Sequence, residues 1–440
     1  MKVTLLTGSQ KEIAVAGALG CTSVRPSAEI LAELQAEQPA HRETKCKLVL
    51  KNSFGRGHGA VGDQAVFQFS ISGITRLSTL FLCQSPYASF LQQSLRRVQA
   101  GDYKLPDTLQ SKKYAKDVVE RAFDLYTRMV AAGIPAEDAR YILPLCTTTN
   151  IQMTVGVREL CHIINMANSK NMSSEAKMVI NSITCSTMEA GDHSFFSDYG
   201  SNYEPLSFYP APDLFAEEGP MFVDAGKYIN SDDIYGKKES QVDMDSDELK
   251  KAIVDRNPSY LSLLKHIHFT FTFGMSLASF HQAVRQRTWD HTVETLSNAV
   301  GTALEIAAGK SSGRTIIPPS VLDSSFAQEF YLQHHKMLNT YHQSVNEGVP
   351  KSEAFNLLPH SLKIYDLVHI NGWNAIHSLG KRTCSKAQWE IRGIADKASQ
   401  IIKDQYPELG RYVGPQCMTY GYCPESKPCG RLKKVKEVTA

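Results

Sequence analysis

The apolar positions of this chain fall into two periods that recur in the same order twice. From Ala65 to Arg97 (AVFQFSISGITRLSTLFLCQSPYASFLQQSLRR), Val66, Phe67, Phe69 and Ile71 open the run with the alternation of a strand. A short apolar segment that fits a helix follows. From His268 to Leu296 (HFTFTFGMSLASFHQAVRQRTWDHTVETL), Phe269, Phe271 and Phe273 alternate in the same way and lead into a similar segment. A second pair follows each: EDARYILPLCTTTNIQMTVGVRELCHIINM from Glu137 and SEAFNLLPHSLKIYDLVHINGWNAIHSLGKR from Ser352. Near the end, AQWEIRGIADKASQIIKDQ from Ala387 changes to helical spacing, with Ile391, Ile394, Ala395, Ala398, Ile401 and Ile402 on one face. The pattern predicts an α+β protein of two tandem units, each a mainly antiparallel sheet packed with helices.

The expected boundaries are 1–205 for the first unit, 206–245 for a linker rich in Pro, Gly, Asp and Tyr, 246–413 for the second unit, and 414–440 for a turn-rich tail. The 440 residues suffice for two or three ordinary cores, and 42% hydrophobic with 21% charged residues is a globular composition. A net charge of +2 excludes a general polyanion-binding character, so nucleic acid is not an expected partner and any basic site is local. The opening MKVTLLTGSQKE lacks a basic-then-apolar signal pattern, and no uncharged apolar run approaches the ~20 residues that cross a bilayer. No membrane association and a cytoplasmic location are expected. Cysteines such as Cys21, Cys83, Cys146 and Cys161 stand singly in apolar runs, where small buried thiols are expected. The GRGHG run (Gly55 to Gly59) reads as a turn with no helix directly after it, and so not as a phosphate loop.

The polar residues within the repeats carry the candidate chemistry. The first copy has Ala88-Ser89-Phe90-Leu91-Gln92-Gln93-Ser94-Leu95-Arg96, preceded by Gln84-Ser85-Pro86; the second has Arg285-Gln286-Arg287, followed by Asp290, Val293 and Thr295. Together they resemble the flavin-dependent thymidylate synthases (the ThyX family), whose hallmark is R-H-R-x-x-S-x-x-E/Q-x-S-x-R after a strand and helix. The later family elements are A-R-x-x-L-P, N-A-R, L-R and A-Q-W-E-I-R. The first copy offers Ala139-Arg140 before Leu143-Pro144, and Arg158, with Gly156 and Ala167 as departures. The second offers Asn371, Lys381-Arg382 and an intact AQWEIR, with Phe355 and Trp373 as departures. The resemblance covers nearly the whole chain apart from the linker and tail, and MKVTLLTGS is similar to the family's first strand.

The resemblance implies reductive methylation of dUMP to dTMP, with FAD as cofactor and NADPH and methylenetetrahydrofolate as cosubstrates. It gives Arg382 and Ser89 catalytic places. Gln92, Ser94, Arg96, Arg140, Gln282 and Arg285 are expected at substrate, and Arg285, Gln286, Arg287, Asn371, His377, Asp63 and Arg158 at flavin. The chemistry suits these residue types, since guanidinium forks and a hydroxyl cradle a phosphate dianion, and an arginine at a pyrimidine carbonyl stabilises charge on the ring. The losses are complementary, so a site drawing on both copies is expected, in a homodimer of fused chains that replaces a tetramer.

Plainer readings accompany each residue. Arg96 beside Arg97 also suits a solvated face of a predicted helix, on which Ser89 and Ser94 would be ordinary helix serines. Arg285 and Arg287 suit a plain surface pair, and Lys381-Arg382 a helix C-terminal charge cluster. His162 and His377 suit structural, hydrogen-bonded histidines. The tail cysteines Cys417, Cys423 and Cys429 are spaced too widely for zinc pairs, and no metal is expected; surface thiols or a redox pair fit better. Two other functions stay open: a degenerate, non-catalytic nucleotide- or flavin-binding protein, and a related flavin-dependent one-carbon transfer to another uridylate.

Overall fold

The computed structural model describes residues 1–167, 172–196, 212–217, 219, 234–239, 242–307, 313–423 and 425–432. The chain packs as two units. The first comprises Met1–Ala136, Leu143–Ala211 and Lys336–Leu358; the second comprises Glu137–Ile142, Pro212–His335 and Pro359–Ala440.

In the first unit, β1 (Lys2–Leu5), β2 (Val66–Thr75), β3 (Ser89–Gln92) and β4 (Thr148–Gly156) form an antiparallel sheet in the order β1-β2-β4-β3. On β2 the alternation read from the sequence is realised: Phe67, Phe69 and Ile71 are buried, whereas Val66, Gln68 and Ser70 are exposed. Ile71 pairs with Ile151 but Ile74 with Thr149, so Ser72 and Gly73 together oppose one residue, and Gly73 takes φ +65° to make this bulge. Helix α1 (Arg76–Cys83) follows β2, α2 (Val157–Ala167) follows β4, and α3 (Ser174–Glu189) closes the unit's core.

One expectation is corrected here. The run from Ser89 to Arg96 is not a helix, because Ser89–Gln92 pairs antiparallel with Thr154–Ile151 as edge strand β3 and the chain then turns at Ser94. Ladder hydrogen bonds to β4 outweigh a local preference worth only tenths of a kcal/mol per residue. A second correction concerns GRGHG: a four-residue helix, Gly59–Gly62, starts at its last glycine. Gly59 matters because a Cβ there would lie 2.8 Å from Cδ of Arg158, which crosses over it.

The second unit repeats the plan with β5 (Ile234–Lys238), β6 (His268–Ser276), β7 (Asp290–Val293) and β8 (Lys363–Asn371) in the order β5-β6-β8-β7. Its helices α4 (Leu277–Ala283), α5 (Gly372–Arg382) and α6 (Trp389–Gln405) take the places of α1 to α3. Ile391, Ile394, Ala395, Ala398 and Ile402 of α6 are buried, as the helical spacing predicts. Much of the expected linker (206–211, 218, 220–233, 240 and 241) lies outside the described residues, but Ile234–Lys238 within it supplies the edge strand β5. No helix among the described residues is long and apolar enough to cross a membrane.

Candidate functional site

Each unit fixes the start of its post-strand helix with a buried carboxylate. In the first, Glu175 accepts hydrogen bonds from the Thr75 amide (2.9 Å), the Thr75 hydroxyl, the Ser78 hydroxyl (2.7 Å) and Lys104 Nζ (3.0 Å). Burial pushes the Glu175 carboxyl up, but these donors together outweigh it and hold it below the ordinary range. In the second, Glu390 of the AQWEIR run accepts from the Ser276 amide (2.7 Å), the Ser276 hydroxyl and the Tyr141 phenol. Tyr141 also accepts from Gln388 Nε2 at 2.7 Å. The amide of Lys104 donates to Cys146 O, whereas at the matching bond of the second unit the donor to Ser361 O is Ile316, whose side chain carries no ammonium. Burial therefore dominates and Glu390 sits above the ordinary carboxyl range.

Two expected results follow. A depressed carboxyl contributes stability that is present above its unfolded pKa of about 4.3 and lost as pH falls through the folded value. Urea midpoints of the first unit should thus fall on acidification below about pH 4.3, and less steeply in Glu175→Gln. Tyr141→Phe removes a donor from Glu390 and an acceptor from Gln388, and should destabilise the second unit by about 1–3 kcal/mol in urea titrations.

Tyr141 and Arg140 belong by sequence to the first copy but by packing to the second unit. Arg140 is buried there, its Nε donating to Glu137 O at 3.0 Å. Sequence reasoning did not anticipate this placement, nor the part played by Tyr141 and Glu390.

The turn after α4 carries Arg285, Gln286 and Arg287, and it is stapled to α5. Thr288 Oγ1 donates to Asn374 Oδ1 at 2.7 Å, Asn374 Nδ2 donates to Thr288 O at 3.0 Å, and Trp289 Nε1 donates to Ser378 Oγ at 2.6 Å. At the far end of α5, Arg382 Nη2 donates to the backbone carbonyl of Gln282 at 3.2 Å. A guanidinium at the C-terminal carbonyls of α4 is favourable on dipole grounds. Four expected site residues, Gln282, Arg285, Arg382 and Gln286, therefore lie on two helix ends that this unit holds together. Asn374→Ala removes both bonds to Thr288; a loss of about 1–3 kcal/mol by thermal unfolding is expected.

Other expected residues have plainer roles. Asn371 caps α5, its side chain accepting from the Asn374 amide at 2.9 Å. His377 stacks on Trp373, with ring centroids 5.3 Å apart and planes 13° from parallel, and burial lowers its pKa. Asp63 and Arg158 come together in the first unit as a half-exposed ion pair at 3.3 Å. Gln92 Nε2 donates to the buried Thr79 hydroxyl at 2.7 Å, and Ser94 Oγ accepts from the Arg96 amide at 3.2 Å, leaving its O–H to donate. Ser89 and Arg96 are exposed beside them.

After β7 the second copy departs most. Glu294 meets Arg314 in a buried bidentate pair at 2.7 and 2.9 Å, and the Tyr365 amide donates to the same carboxylate at 3.1 Å. Asp290, in the place of Ser89, pairs with His369 at 3.1 Å. A carboxylate already neutralised by its own arginine gives no phosphate cradle here.

An anionic cofactor such as a flavin dinucleotide suits one turn and not the other. Arg285 and Arg287, with Arg382 nearby on α5, offer planar cationic donors and no carboxylate stands between Gln282 and Arg287. The first unit has Gln84 and Ser85 at the corresponding turn, both buried, and Pro86, with no cation among them.

The family model described as thymidylate synthase complementing protein matches the chain twice, over residues 3–189 and 222–408. A flavin-dependent thymidylate synthase of Geobacter sulfurreducens is 32% identical over 40% of this chain and 74% of its own length. That of Pyrococcus horikoshii is 33% identical over 40% of this chain and 74% of its own length. Thymidylate synthase X of Helicobacter pylori, solved with FAD and dUMP, aligns with 45% of this chain and 99% of its own at 14% identity and a TM-score of 0.37.

Proposed function

The chain belongs to the thymidylate synthase complementing protein family, in two tandem copies, and from that premise we propose that it is a flavin-dependent thymidylate synthase. It would methylate dUMP reductively to dTMP, with methylenetetrahydrofolate as one-carbon donor and NADPH as reductant. The observation that carries the reading is Arg382 held against the end of α4 beside the Arg285 turn. The flavin supplies hydride and one-carbon chemistry when bound.

The chain's own residues bind, orient and stabilise. Arg382 faces the developing negative charge of the uracil ring, where a preorganised guanidinium acts in the transition state. Arg285, with Gln282, sets nucleotide against cofactor, while Arg285, Gln286 and Arg287 hold the cofactor's anionic part. Asn371 and His377 act there indirectly, by fixing the start and one face of α5. Asp63 and Arg158 remain proposed flavin contacts of the first copy. Ser94, Arg96 and Arg140 cradle the phosphate through a hydroxyl donor and two forks, with Gln92 and Ser89 lining the nucleotide.

The working site in this proposal draws on both copies. The first keeps the hydroxyls and the phosphate arginines, the second keeps the flavin turn and Arg382. The Glu294–Arg314 pair supports the corollary that the opposite combination is inactive. The active particle is proposed as a homodimer of fused chains, with 1–205 and 246–413 as the two sequence repeats, 206–245 between them and the tail from 414.

Freshly purified protein should absorb as a flavoprotein, and it should release tritium from dUMP labelled at C5 only when NADPH and methylenetetrahydrofolate are both present. A colourless protein that neither takes up FAD nor releases tritium sinks the enzyme reading. Tritium release from UMP in preference to dUMP would move it to a related uridylate.

A further inference from the structure

Four of the ten cysteines open onto one cavity of about 280 Å³ in the second unit. Cys384 comes from the connection between α5 and α6; Cys417, Cys423 and Cys429 come from the tail, and Lys381 and Lys386 share the wall. All four thiols are free. Cys429 hydrogen-bonds the side chain of Ser385, the residue next to Cys384. Three cysteines separated by five residues each are thus carried back to a fourth that lies far from them in sequence, just after α5. No group of three or more His, Cys, Asp or Glu among the described residues is placed to hold a metal ion. The thiols converge on a space for a small molecule without closing on a cation.

We propose that Cys384 and Cys429 form a dithiol site that exchanges with small disulfides admitted by this cavity. The inference does not rest on the synthase reading. Cys429 is the attacking thiol: it is exposed, and the Ser385 side chain together with the Arg431 amide holds it below the ordinary thiol range. Cys417 is the less suited, since burial and the neighbouring thiols push it up. In the first step the Cys429 thiolate attacks one sulfur of R–S–S–R, forming a mixed disulfide and expelling RS⁻. In the second, the Cys384 thiolate attacks the Cys429 sulfur, closing the Cys384–Cys429 disulfide and expelling the other RS⁻. The protein loses two electrons and two protons, and the small disulfide is reduced to two thiols. Gly421 and Gly430, at φ +68° and +83°, give the tail the turns that closure to a Cα separation of about 4.4–6.8 Å requires. Once closed, the bond ties the tail to the end of the helix that carries Arg382.

The test uses the full chain, purified under dithiothreitol, desalted, and exposed to oxidised glutathione. Native thiol counts should fall by two per chain, peptide mapping should show Cys384 joined to Cys429, and dithiothreitol should reverse both. Cys384→Ser should stop at glutathionylated Cys429, and Cys429→Ser should slow the loss at least tenfold, with far-UV circular dichroism unchanged in each. If either variant misfolds, mapping of the wild-type chain still decides. A disulfide between any other pair, an unchanged thiol count, or stoichiometric zinc in the untreated protein that blocks the reaction overturns the proposal.

Discussion

Arg382→Ala is expected to abolish dTMP formation, lowering turnover by at least about 10²–10³-fold, the usual loss when one preorganised donor to a developing charge is removed. The guanidinium also donates to the carbonyl of Gln282, so part of any effect is structural. That part is small, about 0.3–1 kcal/mol for a cation at a helix C-terminus. Arg382→Lys separates the two contributions. It keeps the charge at the end of α4 but loses the planar fork, so it should unfold like the wild type and still turn over poorly. The measurement is tritium release from dUMP beside flavin absorbance and thermal unfolding of each variant. An alanine variant that retains turnover removes Arg382 from the site and leaves it a helix cap.

The largest effect on stability is expected at Glu294 and Arg314, which no motif announces. Both side chains are almost wholly excluded from solvent, 3% exposed for Arg314 and 2% for Glu294. Arg314 also donates to Lys363 O at 3.2 Å and lies over the Tyr365 ring, 4.8 Å from its centroid. Removing either partner leaves a buried, unpaired charge, and Arg314→Ala or Glu294→Ala should cost about 3–5 kcal/mol. Against a typical total of about 5–15 kcal/mol, that leaves the second unit close to unfolding. Replacing both residues by leucine or methionine should restore much of the loss, because the charges rather than their attraction are the liability. All three tryptophans, Trp289, Trp373 and Trp389, belong to the second unit, so tryptophan fluorescence in urea reads this unit directly. If Glu294→Ala shifts the midpoint no more than an exposed substitution such as Lys250→Ala, the pair does not hold the β7 exit.

The asymmetry between the two units has a physical consequence for the proposed division of labour. In the second, Thr288, Trp289, Asn374 and Ser378 lock the arginine turn onto α5. In the first, Ala88 stands just before β3, as Trp289 does before β7, and the buried Glu159 lies beside His162 at 3.5 Å. One turn is cationic, the other uncharged. Divergence has therefore reached the residues that support the site as well as those that face it.

The strands and the α6 helix were legible because their signals are local. Phe67, Phe69 and Ile71 sit at the spacing of one sheet face, and Ile391 to Ile402 at the spacing of one helix face. The stretch from Ser89 to Arg96 was misread because an edge strand of four residues has little pattern of its own, and its identity lies in its partner β4. Of the proposed site, the arginines and hydroxyls come from the order of the motifs. Their supports do not, because a buried glutamate finds its donors across the fold: Glu175 is far in sequence from Thr75, and Glu390 farther still from Tyr141.

By itself the sequence determined that the same α+β unit occurs twice and that the two copies differ in their polar residues, since periodicity and residue order are properties of the linear chain. Only the tertiary structure decided that Arg140 and Tyr141 serve the second unit, that Arg382 closes on the end of α4, and that Glu294 is consumed by Arg314. The reason is that burial, which sets the cost of a charge and the worth of its partner, is a property of the packed chain and of no segment alone.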